Sequence, residues 1–299
     1  MKERRDGVLS AVAAFILWGV LPVFWKALVF LPPASIIAHR TIWSLVVLLP
    51  VLALQKQTVT MIRGISSWRG VGWHLLSGCL LGANWLLYVW ATLNGRILEG
   101  ALGYYLNPFL NMLFGALFFG ERQTRLQMLA VLVAAAGVAC QFQAVKGVPW
   151  VALVLALTFA LYAVVRKKAP LAALPGLAAE TALLAPVALG WLLWQGSHGA
   201  ALFGGSTTTA LLVLSTGIAT ATPLLCFGHA ARTISLTTLG ILQFIGPTLQ
   251  FLIGWHLYGE EMNPMRMLSF GLIWTAVAIY AGEALARNNR KAAPDGAAS

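Results

Sequence analysis

Asn107 to Glu121 reads N-P-F-L-N-M-L-F-G-A-L-F-F-G-E, and Gly246 to Glu260 reads G-P-T-L-Q-F-L-I-G-W-H-L-Y-G-E. Aligned without a gap, six of the fifteen positions are identical, including Pro108/Pro247, Gly115/Gly254 and the closing Gly120-Glu121/Gly259-Glu260, at an offset of 139 residues. Weaker matches keep nearly the same spacing: Trp18 to Lys26 with Phe159 to Lys167 at 141, and Leu31 to Arg40 with Leu171 to Glu180 at 140. The chain therefore reads as internally duplicated. Each copy lies in the fourth of five long apolar runs, so an odd number of runs separates equivalent positions. The halves then face opposite sides of a membrane, which is the architecture of secondary transporters.

Composition supports a membrane setting. Hydrophobic residues make up 59% of the 299, charged residues 10%, and mean hydropathy is +0.80, outside the range of a soluble domain. Ten runs reach the roughly 20 residues that a membrane-crossing helix needs: 8–30, 34–54, 72–93, 99–119, 126–144, 148–165, 174–195, 210–231, 236–258 and 265–284. The first is too long for a signal peptide and lacks a small-x-small cleavage site. The expected fold is an all-α integral membrane protein with ten transmembrane helices in two inverted five-helix repeats, residues 1–145 and 146–286, joined at Val145 to Val148. Residues 287–299 are expected to form a disordered cytoplasmic tail around Pro294, Asp295 and Gly296.

A net charge of +11 could suggest nucleic acid, but the basic residues are spread over short loops. Placing both termini in the cytoplasm puts fifteen of the twenty Lys and Arg on the inner face, among them Arg166, Lys167 and Lys168, which read as topology determinants. Lys26, Arg96, Lys146 and Arg266 remain outside, and Arg40 lies within a run. Cys79, Cys140 and Cys226 fall within runs without metal spacing. The sequence contains no H-E-x-x-H, G-x-S-x-G or Walker A motif. No metal, cofactor, ATP or nucleic acid is expected, nor an enzyme.

Polar groups inside the runs are few. A charge at a helix centre costs about 2.5–3.5 kcal/mol on insertion scales, so those retained usually face a protein interior or a wet path. Arg40 lies about six residues into the second run, roughly 9 Å from its outer end at 1.5 Å per residue. Its repeat partner, Glu180, lies at similar depth from the inner side. Arg40 is the natural anchor for a carboxylate, phosphate or other anionic solute group; snorkelling or a buried pair is the plainer alternative for both residues. His39 points away from Arg40 and is expected to pack in the protein with a hydrogen bond. Glu99 opens the fourth run, where capping or a pair with Lys26 or Arg96 competes with a role in proton coupling, the functional reading also of Glu180.

In the fourth run Tyr104, Asn107 and Asn111 share one face beside Pro108; in the ninth, Gln243, Pro247 and Gln250 do the same. A proline at mid-membrane frees a carbonyl that neighbouring amides can satisfy or replace with solute contacts. Trp18 and Trp25 flank Pro22, Asn84 and Tyr88 share a face beside Trp85, and Trp43 and Ser44 follow Arg40. The expected pathway thus comprises Trp18, Arg40, Trp43, Asn84, Trp85, Tyr88, Tyr104, Asn107, Asn111, Gln243 and Gln250, with kinks at Pro22, Pro108 and Pro247. The mixture suits a moderately apolar solute with a few hydrogen-bonding groups. Gly78 and Gly82 read as a close-packing pair. The fifth and tenth runs, almost purely apolar, are expected at the periphery or between the protomers of a homodimer. Gly120-Glu121 and Gly259-Glu260 read as turns whose carboxylates pair with loop cations.

Several stretches resemble the RarD branch of the EamA drug/metabolite transporters: A-H-R-T-I-W-S at 38–44, N-W-L-L-Y-V-W at 84–90, L-E-G-A-L-G-Y-Y-L-N-P at 98–108, G-E-R at 120–122, V-R-K-K at 165–168 and T-L-G-I-L-Q-F-I-G-P-T at 238–248. They span nearly the whole chain in order. The resemblance implies a ten-helix permease of the bacterial inner membrane with a five-plus-five inverted repeat and an association with chloramphenicol resistance. The leading expectation is a secondary-active permease that moves small metabolites or amphipathic drugs by alternating access. The residues leave open a passive facilitator or channel and, less favoured, an integral-membrane enzyme.

Overall fold

The computed structural model describes residues 2–120, 123–144, 148–234, 239 and 242–292. The described chain is helical: α1 (Lys2–Ala27), α2 (Pro33–Leu54), α3 (Thr58–Gly64), α4 (Trp68–Leu93), α5 (Ile97–Phe119), α6 (Arg125–Ala144), α7 (Trp150–Lys168), α8 (Ala173–Ser197), α9 (Thr207–Thr233), α10 (Ile245–Leu252) and α11 (Pro264–Ala292). Among the described residues, eight helices are long and apolar enough to cross a membrane: α1, α2, α4, α6, α7, α8, α9 and α11. The helix α5 is not among the eight. The short α3 was not expected; it bridges α2 and α4 and buries Met61 against Leu171 and Ala178. The helix α11 continues to Ala292, past the start of the expected tail; Pro294, Asp295 and Gly296, like the join at 145–147, lie outside the described residues.

The helix pairings are mirrored between the halves. The helix α1 packs on α9 as α7 packs on α4, α5 packs on α7 as α10 packs on α1, and α2 packs on α9 as α8 packs on α4. The remaining large contacts join equivalents: α2 with α8, α5 with α10, and α6 with α11. At the α2–α9 crossing a Cβ on Gly217 would lie 2.4 Å from the Trp43 carbonyl oxygen, so the two backbones meet only because that side chain is missing.

The duplicated glycines Gly120 and Gly259 have φ of 64° and 63°, the left-handed region in which glycine carries no Cβ penalty. Pro108 lies within α5 and Pro22 within α1. Pro247 instead occupies the first turn of α10, where its missing N–H removes no intrahelical bond and no kink is required. The helix α10 runs into a π-helical turn at Ile253–Leu257. Beyond it, Glu260 accepts the Ile97 and Leu98 amides at 2.5 and 2.9 Å. This corrects the expected role of Glu260: the carboxylate caps α5, because those first-turn amides have no intrahelical acceptor. Burial pushes its carboxyl above the ordinary range, while the two amide bonds, Arg266 and Lys26 pull it down. Its repeat equivalent Glu121 lies outside the described residues.

The largest apolar cluster joins α5, α6, α10 and α11 through Leu102, Tyr105, Phe109, Ala134, Phe251, Phe270 and Ile273. The helices α6 and α11 pack on each other, with Ser269 Oγ donating to the Gly137 carbonyl at 2.7 Å, and turn Leu126, Leu129, Leu132, Met267 and Leu268 outward. Trp274 donates to the Tyr105 hydroxyl at 2.9 Å, which is itself 2.7 Å from Thr248 Oγ1. These bonds tie α5, α10 and α11 into one unit beside the remaining helices.

Candidate functional site

The helices α2 and α8 run antiparallel, with Trp191 Nε1 donating to Ser35 Oγ at 3.1 Å near one end and Leu52 packed on Ala178 and Leu171 near the other. Arg40 therefore lies toward the end that carries the α1–α2 and α8–α9 connections. Glu180 lies toward the opposite end. Both are buried, at 3% and 1% exposure, but their surroundings differ.

The Arg40 guanidinium lies 3.6 Å from the centre of the Trp85 ring and 5.4 Å from that of Trp25. No carboxylate pairs with it among the described residues, and its Nε has no hydrogen-bond partner there. Cation–π contacts desolvated in this way contribute about 2 kcal/mol each, enough to offset an insertion cost of about 2.5–3.5 kcal/mol. The charge is thus held in place while its donors stay free. The Tyr88 and Tyr104 rings meet edge to face at 5.3 Å, and the Tyr104 hydroxyl donates to Asn84 Oδ1 at 3.3 Å. Asn84 Nδ2 donates to the Leu155 carbonyl at 2.8 Å and to Thr158 Oγ1 at 2.9 Å, fixing α4 to α7. The Tyr88 hydroxyl is buried without a partner among the described residues.

Glu180 is enclosed by polar groups. It accepts from Ser77 Oγ at 2.7 Å and from the Tyr162 hydroxyl at 3.4 Å. Arg166 Nη1 lies 3.2 Å from Oε1 as an ion pair, while Nη2 donates to the Ala172 carbonyl at 3.1 Å. His74 Nδ1 lies 3.9 Å from the same oxygen. A cavity lies between Glu180 and Trp85, lined by Thr41, Ser44 and Leu48 of α2, Gly78, Leu81 and Trp85 of α4, Glu180, Thr181 and Leu184 of α8, and Thr220 of α9. It offers about 10 Å³ to water centres, room for about one water molecule. The three threonines bond to their own helices, whereas Ser44 Oγ has no partner among the described residues.

The structure thus gathers Arg40, Asn84, Trp85, Tyr88 and Tyr104; of these, Trp85 lines the cavity that Glu180 also borders. It does not bring in the rest of the expected pathway. Gln250 Nε2 donates to the Trp18 carbonyl at 3.2 Å, an interhelical amide bond that ties α10 to α1. Trp18 packs on Phe15 and Phe227. Trp43 packs over Gly217 on the α9 side of α2, Asn107 is buried with an unpartnered Oδ1, and Asn111 and Gln243 are half-buried. Like Arg40, Asn84, Tyr88 and Tyr104, none of these lines the cavity. Glu99 pairs with Arg96 at 3.0 Å, and His39 packs on Phe203 with its Nε2 unpartnered among the described residues.

Sequence reasoning missed Ser77, His74 and Tyr162, and assigned Arg166 to topology alone. The guanidinium instead folds back onto Glu180, because a buried carboxylate needs a counter-charge. The repeat held a signal for it: at the offset of 141 Arg166 matches Trp25, the residue that faces Arg40.

Comparison with known proteins identifies the family. The profile of the EamA-like transporter family matches residues 5–142. Protein RarD of Salmonella typhi is 39% identical over 97% of this chain and 99% of its own length. An uncharacterized transporter of Pseudomonas aeruginosa is 41% identical over 94% of both chains, and the chloramphenicol-sensitive protein RarD of the same organism is 32% identical over 93% and 94%. A solved crystal structure shares the fold at a TM-score of 0.60 and 20% identity, covering 93% of this chain and 98% of that one. The chain belongs to the RarD branch of the EamA family and is a multi-pass membrane transporter.

Proposed function

We propose that this chain is a secondary-active permease of the bacterial inner membrane that carries a small, partly apolar solute bearing an anionic group. In this reading ten spans form two inverted halves, residues 1–145 and 146–286, with both termini cytoplasmic. Arg40 then faces the outer half of the path and Glu180 the inner half. The duplicated sequence and the mirrored helix pairings support the inverted arrangement. The observation that carries the proposal is Arg40: a buried guanidinium without a carboxylate partner among the described residues, walled by two indoles, one of which, Trp85, lines a cavity. Such a group receives carboxylate or phosphate with little reorganisation. The cavity, sized for one water, corresponds to an occluded state, and rocking of the halves widens it toward either face. Neither ATP nor a catalytic step enters this scheme, and the outward faces of α6 and α11 are the surfaces through which a homodimer would form.

The test is uptake into proteoliposomes of a radiolabelled panel of chloramphenicol, amino acids and small carboxylates, with and without an imposed pH gradient. Wild type is expected to accumulate an anionic member, and Arg40→Ala to lose that accumulation. Asn107→Ala, which leaves the stack of Arg40 on Trp85 in place, is expected to retain it. Loss in Asn107→Ala with retention in Arg40→Ala would move the path to α5 and α10. Movement of no solute above empty liposomes would overturn the permease reading.

A further inference from the structure

The repeat exchanges one pair of residues between the halves. Trp25 and Arg40 occupy the positions that Arg166 and Glu180 occupy in the second half. Each half therefore carries one guanidinium where its first two spans meet. On the Arg40 side that guanidinium faces the Trp25 and Trp85 rings, with no carboxylate partner among the described residues; on the Arg166 side it is neutralised by Glu180 at 3.2 Å.

Three features make Glu180 more than a structural counter-ion. His74 lies 3.9 Å from its Oε1, is completely buried, and has no hydrogen-bond partner on either ring nitrogen among the described residues. An unpaired imidazole beside a carboxylate leaves a proton acceptor in waiting, at a cost the fold would otherwise avoid. The carboxylate also borders the cavity that can hold a water, which gives a proton a route. Finally, among the described residues His74 is the one other group facing Glu180 that titrates near neutral pH, so the carboxylate and the imidazole act as one proton-exchanging pair. The helix α7 presents Arg166 and Tyr162, α4 presents His74 and Ser77, α2 and α9 present only hydroxyls, and α3 contributes the apolar Met61.

We propose that Glu180 is the exchangeable proton site of this transporter, and that its protonation frees Arg166 to receive the anionic group of the solute at the α7–α8 end. The proposal rests on the permease reading above and specifies its coupling. With Glu180 ionised, Arg166 is occupied and the second half is closed to anions. A proton arriving through the cavity neutralises the carboxylate, whose new O–H donates to the free nitrogen of His74. Arg166 then presents an unpaired guanidinium, as Arg40 does. One proton and one anionic group occupy the site together, so the loaded site carries no added net charge.

Infrared titration of the full chain in nanodiscs tests the proton site without any solute. A protonated-carboxyl C=O band is expected to fade as pH rises, to be absent in Glu180→Gln and to persist in Glu99→Gln. Arg166→Gln, which removes the cation favouring the ionised form, is expected to carry the fading to higher pH. A titrating band unchanged in Glu180→Gln, or none in wild type, overturns the proposal; should Glu180→Gln fail to fold, an unmoved band in Arg166→Gln does the same. In proteoliposomes one-to-one coupling gives about tenfold accumulation of a small carboxylate per imposed pH unit, and flux through Glu180→Gln no longer responds to pH. Flux through that variant that follows the gradient as in wild type overturns the coupling. If wild type moves no solute at all, the permease reading fails, while the infrared band still decides the proton site.

Discussion

Arg40 and Glu180 illustrate how a single position acquires different chemistry from its neighbours. Both replace apolar residues in runs that would otherwise read as plain membrane helix, and both are almost fully enclosed. Two indoles hold Arg40 through their faces, leaving its N–H fork available. Glu180 has an ion pair and two hydroxyl donors instead. Lysine in place of Arg40 keeps the charge but loses the planar stacking and the bidentate fork. Arg40→Lys is therefore expected to raise the apparent KM for an anionic solute about tenfold, the equivalent of one charge-assisted hydrogen bond at about 1.4 kcal/mol. A KM within twofold of wild type, measured in the proteoliposome assay, would mean that the guanidinium does not touch the solute.

At the scale of elements, helix ends and crossings set the geometry. The helix α5 begins without a side-chain cap of its own. Its first amides are satisfied from 162 and 163 residues away by Glu260, which the π-helical turn at the end of α10 brings into place. This couples the fourth helix of one half to the end of its counterpart, and fixes the start of the helix that carries Tyr104 and Asn107. Glu260→Ala leaves those amides unsatisfied and is expected to cost about 1–3 kcal/mol, read as a lower Tm of the detergent-solubilised chain. An unchanged Tm would show that water replaces the carboxylate. The small residues at the crossings do comparable work: Gly217 lets α9 approach the backbone of α2, and Gly78 leaves room for the cavity between α4 and α8.

For the molecule as a whole, helix pairings in the first part of the chain have counterparts in the second, and in the permease proposed above the two parts exchange roles at the two ends of the path. At the end nearer Arg40, a Cβ on Gly204 would lie 2.8 Å from Phe30 Cε2, so the α1–α2 and α8–α9 connections meet there. Cysteines at positions 30 and 204, in a chain whose three native cysteines are replaced, are expected to be bridged by a short bifunctional thiol reagent. Bridging should abolish transport, and one reagent with a cleavable spacer should allow its recovery; full activity after bridging would mean that this end does not open. The membrane setting and the family were legible in the sequence, because hydropathy, span length and the order of short motifs are properties of the chain alone. So were Arg40 and Glu180, since a charge within an apolar run stands out whatever surrounds it. The partners of those charges were not legible: His74 and Ser77 come from α4, Tyr162 and Arg166 from α7, and no local pattern marks them. The amides of α5 and α10 had the right spacing for a path, yet Gln250 binds the Trp18 carbonyl and Pro247 opens a helix instead of kinking one. The sequence by itself determined which residues had to leave water and which charges went with them; only the tertiary structure decided which of those charges is paired and which is free, because that depends on contacts between helices far apart in the chain.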